Sequence, residues 1–427
     1  MMGRIRDVYM YESSLQKLII HAYNSVPYYR KLFDKNKIDA QSIITKKDLS
    51  VIPILNKNIV REQLDEMLSL HITKKIVKSR TSGSTGKFLT IYWDESDLLN
   101  SLRHLWAVRF KNYGIKPNDR YCTFHISISS DDGIEVPLAN FDEKLNELSF
   151  SSTDIISNAG YFYEEMLKFK PTWIRGAPSI LFVLADYIYS KRLPPIPSIK
   201  YIETSGEYLT EHYRKIIEYA FGVNVVNQYG CREANSIAIE CKYKNLHCLS
   251  DNVLVEILKN GAPQADGEEG EIYLTCLTNR YMPFIRYSIG DIGYLDSKLV
   301  CPCGNKNPVL NLKCGRINEF AILPNGNKIF SGVFMYIVEK INEKYESLIK
   351  QFKVIQKDKE YFDVYFVVEK LPNNTLPIEN LFIKEVAKVG FNNAKWFFSF
   401  VNELIPNSNT GKYKFFENLV IHKVDGT

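Results

Sequence analysis

The sequence predicts an α/β protein: a large N-terminal part with sheets and packed helices, and a small α+β unit at the C-terminus. Three observations carry this. From about residue 95 to 230, helical periodicity alternates with short apolar runs ending in glycine turns, the order of βαβ units with parallel strands. From about Val253 the texture changes to hairpin-forming strands. Beyond Gly315-Arg316, about 110 residues read as strands with two helices, enough for a small domain. A chain of 427 residues is too long for one small core, so the expected division is 1–315 and 316–427.

The elements follow in order. Leu15, Leu18, Ile19 and Ala22, then Tyr28, Tyr29, Leu32 and Phe33, give helical spacing over 12–35, interrupted at Pro27. Thr45 to Asp48 can cap a short helix, and Pro53–Leu68 is amphipathic. LTIYW after Phe88 alternates as a strand, and Asp94 caps a helix running to about Tyr113. RYCTFHISIS reads as a strand and SSDDGIEVPLANFDEK as irregular. A helix follows near Tyr161–Phe169, and another in SILFVLADYIYSKRL. IKYIETSGE and VNVVNQYG read as strands around the helix TEHYRKIIEYAF. VLVEIL and GEIYLTCL form a hairpin-rich piece, and CPCGNKNPVLNLKCGR reads as a loop. The last unit reads as a helix at 333–347, strands QFKVIQ and YFDVYFVVE, a helix near 378–391, strand KWFFSFVNEL and a polar tail loop.

Composition narrows the function classes. Hydrophobic residues at 45% and charged residues at 24% belong to an ordinary folded protein. A net charge of +5 from 54 basic and 49 acidic residues gives no basic stripe for nucleic acid. No apolar run reaches signal-peptide or membrane-spanning form, so the expected location is cytoplasmic. Eight cysteines without an export signal point to thiols or metal ligands rather than disulfides.

One stretch stands out chemically. SRTSGSTGKF places Ser82, Ser84 and Thr85 among Gly83 and Gly86, and ends at Lys87. Backbone N–H groups of such a run can wrap an anion, with the lysine adding charge. It is not a Walker loop, whose glycines stand four residues apart. Taken alone, the run is equally a hairpin turn with a solvated lysine.

The ordered set TSGSTGK, SGE, QYGCRE, RYSIGD, CGRINE and NTGK resembles the core motifs of adenylate-forming enzymes, which include acyl-CoA synthetases and peptide-synthetase adenylation domains. Within that superfamily the chain looks most like the phenylacetate–CoA ligase family and its capsular-polysaccharide-biosynthesis relatives. IECKYKNLHCLSDNVLVEI and the CPCG segment favour that branch. The resemblance runs from about residue 75 to the C-terminus and implies a mobile C-terminal domain.

It implies a nucleotide site for ATP. Ser82, Gly83, Ser84, Thr85, Gly86 and Lys87 would hold the β- and γ-phosphates, with Thr85 close to the chemistry; Phe88 stands where the family usually has proline. Ser205, Gly206 and Glu207 would form the adenine shelf, with Gln228, Tyr229 and Gly230 beside it and Tyr229 stacking on the base. Glu233 would bind Mg²⁺, Asp291 the ribose hydroxyls, and Arg316 ribose or phosphate. Lys412 matches the catalytic lysine, and Glu319 the hinge position of a domain swing. Read singly, each of these is also an ordinary turn, cap or surface residue.

His125 lies where the superfamily often has a gate to the acyl tunnel; a core histidine is the other reading. Asp131, Asp132 and Glu135 replace the glycine-rich aromatic segment of phenylacetate enzymes, which argues against phenylacetate as substrate. Cys241, His247, Cys301 and Cys303 supply three sulfurs and one nitrogen, the set for structural zinc, although Cys248 or Cys314 could replace a member. Reduced buried cysteines are the alternative, and the resemblance favours zinc. Cys122 and Cys276 fall in strand patterns and are expected in the core.

The implied function is an AMP-forming carboxylate-activating ligase. It makes an acyl-adenylate and pyrophosphate from a carboxylic acid and ATP, then passes the acyl group to CoA or a carrier thiol. Transfer of the acyl group to an amine, or of the nucleotide to an alcohol or sugar, is the alternative. A nucleotide-binding protein without chemistry is disfavoured by the presence of Lys412, Glu233 and Asp291.

Overall fold

The computed structural model describes residues 2–71, 75–81, 89–125, 137–151, 155–316, 320–331, 333–345, 348–368, 370–404 and 414–420. Helices α1 (Met2–Ser25) and α2 (Pro27–Asn36) meet at Val26, whose extended backbone and following proline break the helix as the sequence predicts. Thr45 and Asp48 form a capping box on a 3₁₀ turn at Lys46–Val51. The amphipathic stretch after Pro53 yields only the short α3 (Lys57–Glu62).

Strands β1 (Ile76–Thr81) and β2 (Leu89–Asp94) pair antiparallel as a separate two-stranded ribbon. Leu89, Ile91 and Trp93 of β2 point into the core, the expected alternation. Asp94 then accepts the Ser96 and Asp97 N–H groups and starts α4 (Glu95–Tyr113), which Gly114 ends in the left-handed region.

The α/β part follows: β3 (Tyr121–His125), β4 (Ala139–Asp142), β5 (Glu147–Ser151), α5 (Ile155–Phe169), β6 (Trp173–Gly176), α6 (Pro178–Ser190), β7 (Tyr201–Ser205), α7 (Glu211–Phe221) and β8 (Val225–Cys231). Strands β5, β3, β6, β7 and β8 run parallel in that spatial order. Helices α5, α6 and α7 cover one face through Phe150, Phe162, Phe182 and Phe221, and α4 covers the other against Trp173 and Tyr201. The segment read as irregular contains β4 within its described part, and β4 pairs antiparallel with β5 just beyond it.

The same sheet continues antiparallel through β9 (Asn235–Glu240), β10 (Leu246–Cys248), β11 (Val253–Lys259), β12 (Ala262–Pro263), β13 (Gly270–Cys276), β14 (Tyr287–Asp296) and β15 (Val309–Arg316). The thirteen described strands are ordered β12-β11-β13-β14-β15-β10-β9-β8-β7-β6-β3-β5-β4. β15 corrects the reading of CPCGNKNPVLNLKCGR as loop throughout: its second half pairs with β14 and β10. The antiparallel wing packs on α1, α2 and β2, where Tyr29 inserts its hydroxyl, donating to the Pro283 carbonyl at 2.9 Å and accepting the Ile285 N–H.

The C-terminal part is a four-stranded sheet with its own core. It comprises the small pair β16 (Phe320–Ile322) and β17 (Lys328–Phe330), α8 (Val333–Lys344), β18 (Ile349–Gln356), β19 (Tyr361–Val368), α9 (Leu376–Lys388), β20 (Lys395–Val401) and β21 (Phe416–Asn418). The sheet order is β20-β19-β18-β21, with α8 and α9 buried on it through Phe334 and Phe382. Among the described residues, no helix is long and apolar enough to cross a membrane.

Candidate nucleotide site and cysteine–histidine cluster

Several sequence-selected motifs meet at one end of the sheet. Ser205 ends β7 and pairs in register with Gln228 on β8. These are carboxyl ends of neighbouring parallel strands, where α/β sheets place ligands. Gly206 follows with φ +88°, a conformation side-chain-bearing residues rarely adopt. Glu207 turns back, and its carboxylate accepts the Ser179 N–H at 3.1 Å in the first turn of α6. It thereby satisfies a free helix-end donor.

Tyr229 is half-buried, and its hydroxyl donates to Asp291 Oδ2 at 2.6 Å. Two residues 62 positions apart thus share one hydrogen bond. Asp291 follows Gly290 in β14, and its register partner on β15 is Arg316. Gly230 is sterically required: a Cβ there would lie 1.9 Å from the Asn235 carbonyl oxygen in the tight β8–β9 hairpin. That hairpin carries Glu233, buried to 3% exposure, whose Oε1 accepts the Tyr287 hydroxyl at 2.7 Å. Burial, then the Glu233 carboxylate, pushes the Tyr287 phenol far up, so it stays a donor.

Ser205, Gln228, Tyr229, Gly230, Glu233, Asp291 and the Arg316 backbone therefore occupy one region. The run Ser82–Lys87 lies outside the described residues, but β1 and β2 bracket it with Thr81 opposite Leu89. The hairpin and cradle readings are thus compatible. Lys412, Glu319, Asp131, Asp132 and Glu135 also lie outside the described residues. His125 closes β3, between β5 and β6; only its backbone is described.

A second cluster lies at the junction of the two halves of the sheet. The ligand atoms of Cys241, His247, Cys301 and Cys303 all lie within 4.8 Å of one another. Cys241 Sγ and Cys301 Sγ are 3.6 Å apart, and Cys303 Sγ is 3.3 Å from His247 Nε2. A tetrahedral zinc ion with ordinary bond lengths needs about 3.8 Å between sulfurs and about 3.5 Å from sulfur to nitrogen. The donor set and its spacing fit that ion. His247 Nδ1 lies 3.0 Å from the Asn307 carbonyl, so a proton on Nδ1 leaves Nε2 facing the sulfurs. N–H groups of Tyr243 and Asn305 and the Asn245 amide point at the three sulfurs. Burial would raise the Cys301 thiol, but hydrogen bonds from Cys303, Asn245 and His247 bring it down to about 6.

Cys248 is not part of this group: it packs in the core, where burial pushes its thiol up to about 12. The Cys314 side chain lies outside the described residues. Cys122 and Cys276 are fully buried, as expected.

Sequence reasoning missed a buried charge network beside the site. Arg109 of α4 grips Glu203 of β7 with Nε at 2.8 Å and Nη2 at 2.6 Å, and Tyr201 donates to the same carboxylate at 2.8 Å. Trp106 and Trp173 flank the Arg109 guanidinium at 4.5 and 5.0 Å. A carboxylate inside the apolar run YIETS was the available signal; its partner lies 94 residues earlier.

Comparisons with known proteins bear on the fold and the family resemblance. No family model matches the chain. Protein CapK of Staphylococcus aureus is 25% identical over 395 residues, 91% of this chain and 84% of that protein. A phenylacetate–coenzyme A ligase of Thermus thermophilus is 25% identical over 333 residues, 74% of this chain and 72% of that enzyme. The crystal structure of a 2-hydroxyisobutyryl-CoA ligase, with its acyl-AMP bound, superposes with a TM-score of 0.76 at 16% identity. It spans 96% of this chain and 88% of that one, a likeness of fold. The chain is thus similar to adenylate-forming ligases in sequence and in fold. Among these its sequence is phenylacetate–CoA-ligase-like.

Proposed function

We propose that the chain activates a carboxylic acid with ATP and transfers the acyl group to CoA or a carrier thiol. In the first step a carboxylate oxygen attacks the α-phosphorus, the bond to the bridging oxygen breaks, and pyrophosphate leaves. In the second step a thiolate attacks the acyl carbon and AMP leaves. The barrier falls through positioning and neutralised oxygen charge.

The observation that supports this best is the Tyr229–Asp291 bond, which joins the motif at the end of β8 to the one in β14. In this reading Asp291 takes the ribose hydroxyls, Tyr229 stacks on adenine, and Ser205, Gly206, Glu207, Gln228 and Gly230 shape the shelf. Arg316 contacts ribose or phosphate, and Ser82, Gly83, Ser84, Thr85, Gly86 and Lys87 cradle the outer phosphates. Glu233 contributes a hard oxygen to Mg²⁺, which when bound neutralises phosphate charge. Lys412 stabilises the attacked phosphate, carried by a C-terminal domain that begins at residue 316. Cys241, His247, Cys301 and Cys303 hold structural zinc. His125 gates the acyl tunnel.

The test is pyrophosphate release with ATP, Mg²⁺ and a panel of carboxylic acids, followed by AMP release with and without CoA. Acid-dependent pyrophosphate and a CoA thioester are expected. Pyrophosphate without thioester would shift the acceptor to an amine, alcohol or sugar. No acid-dependent pyrophosphate from any acid would overturn the activity.

A further inference from the structure

Arg175 is the second arginine of the Glu203 network and, unlike Arg109, is not enclosed. It stands at the carboxyl end of β6, paired in register with Glu203 on β7 and Thr123 on β3. Its side chain is 43% exposed, against 3% for Arg109 and none for Glu203. Glu203 is already held by Arg109 at two points and by Tyr201, so Arg175 reaches it only with Nε at 3.4 Å. Arg109 and the exposed Arg232 both repel Arg175, and among the described residues Glu203 is the carboxylate that attracts it. The next acidic side chain along the sheet, Glu147, accepts from Tyr121 and Thr123. Two guanidiniums therefore share one carboxylate, with a third repelling Arg175 nearby and the fork of Arg175 at the edge.

The place matters as much as the charge. β6 lies between β7, whose end carries Ser205 and Gly206, and β3, which ends at His125. Arg175 thus stands between the shelf assigned to the nucleotide and the gate assigned to the acyl group. A guanidinium fork matches a carboxylate with two parallel hydrogen bonds. We infer that Arg175 is the specificity-determining residue of the acid pocket, and that it selects an acid carrying a second carboxylate. This rests on the ligase reading above. One carboxylate reacts at the α-phosphorus, and the other is held by Arg175 and stays unchanged.

The test uses the full chain and length-matched acids: butyrate against succinate, pentanoate against glutarate, benzoate against isophthalate. Pyrophosphate release gives kcat/KM for each acid, and thermal shift without ATP gives direct binding. The diacid-to-monoacid ratio is expected to exceed about tenfold in the wild type and to fall by about tenfold or more in Arg175→Gln. Arg175→Lys, which keeps the charge but loses the fork, should fall between, and circular dichroism checks that both variants fold. Equal use and binding of monoacids and diacids, or a preference untouched by Arg175→Gln, overturns the inference; Arg175 would then serve the chain's own carboxylates. A rise in the KM for ATP without a change in acid preference also overturns it. If diacids bind through Arg175 but no acid gives pyrophosphate, the anion site stands and the ligase reading falls.

Discussion

Replacing Cys303 by serine should strip the cysteine–histidine cluster of its metal and loosen the middle of the large sheet. The cluster joins Cys241 to Cys301 across 60 positions of chain. Treated as a cross-link closing a loop of that length, it restricts the unfolded chain by about 4 kcal/mol. The native ladder offers little reserve at that point, since β10 and β15 share the single register pair His247–Val309. A loss of about 4 kcal/mol lowers the melting temperature of a large domain by about 10 °C. The assay is metal analysis of protein purified under reducing conditions without chelator, followed by thermal unfolding with and without a zinc chelator. The wild type should carry about one zinc per chain and melt lower when chelated. Cys303→Ser should carry little zinc and melt low regardless of chelator, whereas Cys248→Ser should keep its metal. No zinc in the wild type, or an unchanged melting curve after zinc is removed, would refute the reasoning.

Three further outcomes follow from the same structure and sequence. Lys412→Ala should slow adenylation by about 10²- to 10³-fold while ATP binding, measured by calorimetry, persists; equal loss of binding would remove the catalytic assignment. Arg109→Met should cost about 3–5 kcal/mol in denaturant unfolding, because it strands the buried Glu203 carboxylate, and adding Glu203→Gln should recover much of it. Burial, then Lys350 and Lys215, holds the His212 imidazole down at about 4, against an ordinary 6.5. Between those values the unfolded chain takes up a proton that the folded one refuses, so stability is full above pH 6.5 and falls toward pH 4, by up to about 3 kcal/mol. His212→Phe should flatten that part of the stability profile; an unchanged slope would show that other groups set it.

What could be read from the sequence was set by local signals. The break at Pro27, the caps at Thr45 and Asp94 and the alternation of β2 are written in adjacent residues, and each is present in the fold. β6 was missed because Trp173–Gly176 is four residues long and follows Pro171, too short to show a period. β15 was hidden by the cysteines, glycine and proline that precede it, whose turn chemistry dominates the stretch. The cysteine–histidine group was legible because ligand types are few and come in close pairs. The Arg109–Glu203 pair was not, because a helix and a strand far apart in sequence must fold before either charge has a partner.

The β1–β2 ribbon touches the β8–β9 hairpin at a point easily overlooked: Trp93, one residue before the end of β2, donates its indole N–H to the Arg232 carbonyl at 3.1 Å. Arg232 immediately precedes Glu233. The ribbon is therefore anchored one peptide away from the buried glutamate. Under the proposed assignment, the ribbon that would carry the phosphate cradle and the hairpin whose glutamate would meet Mg²⁺ are tied together by this indole hydrogen bond.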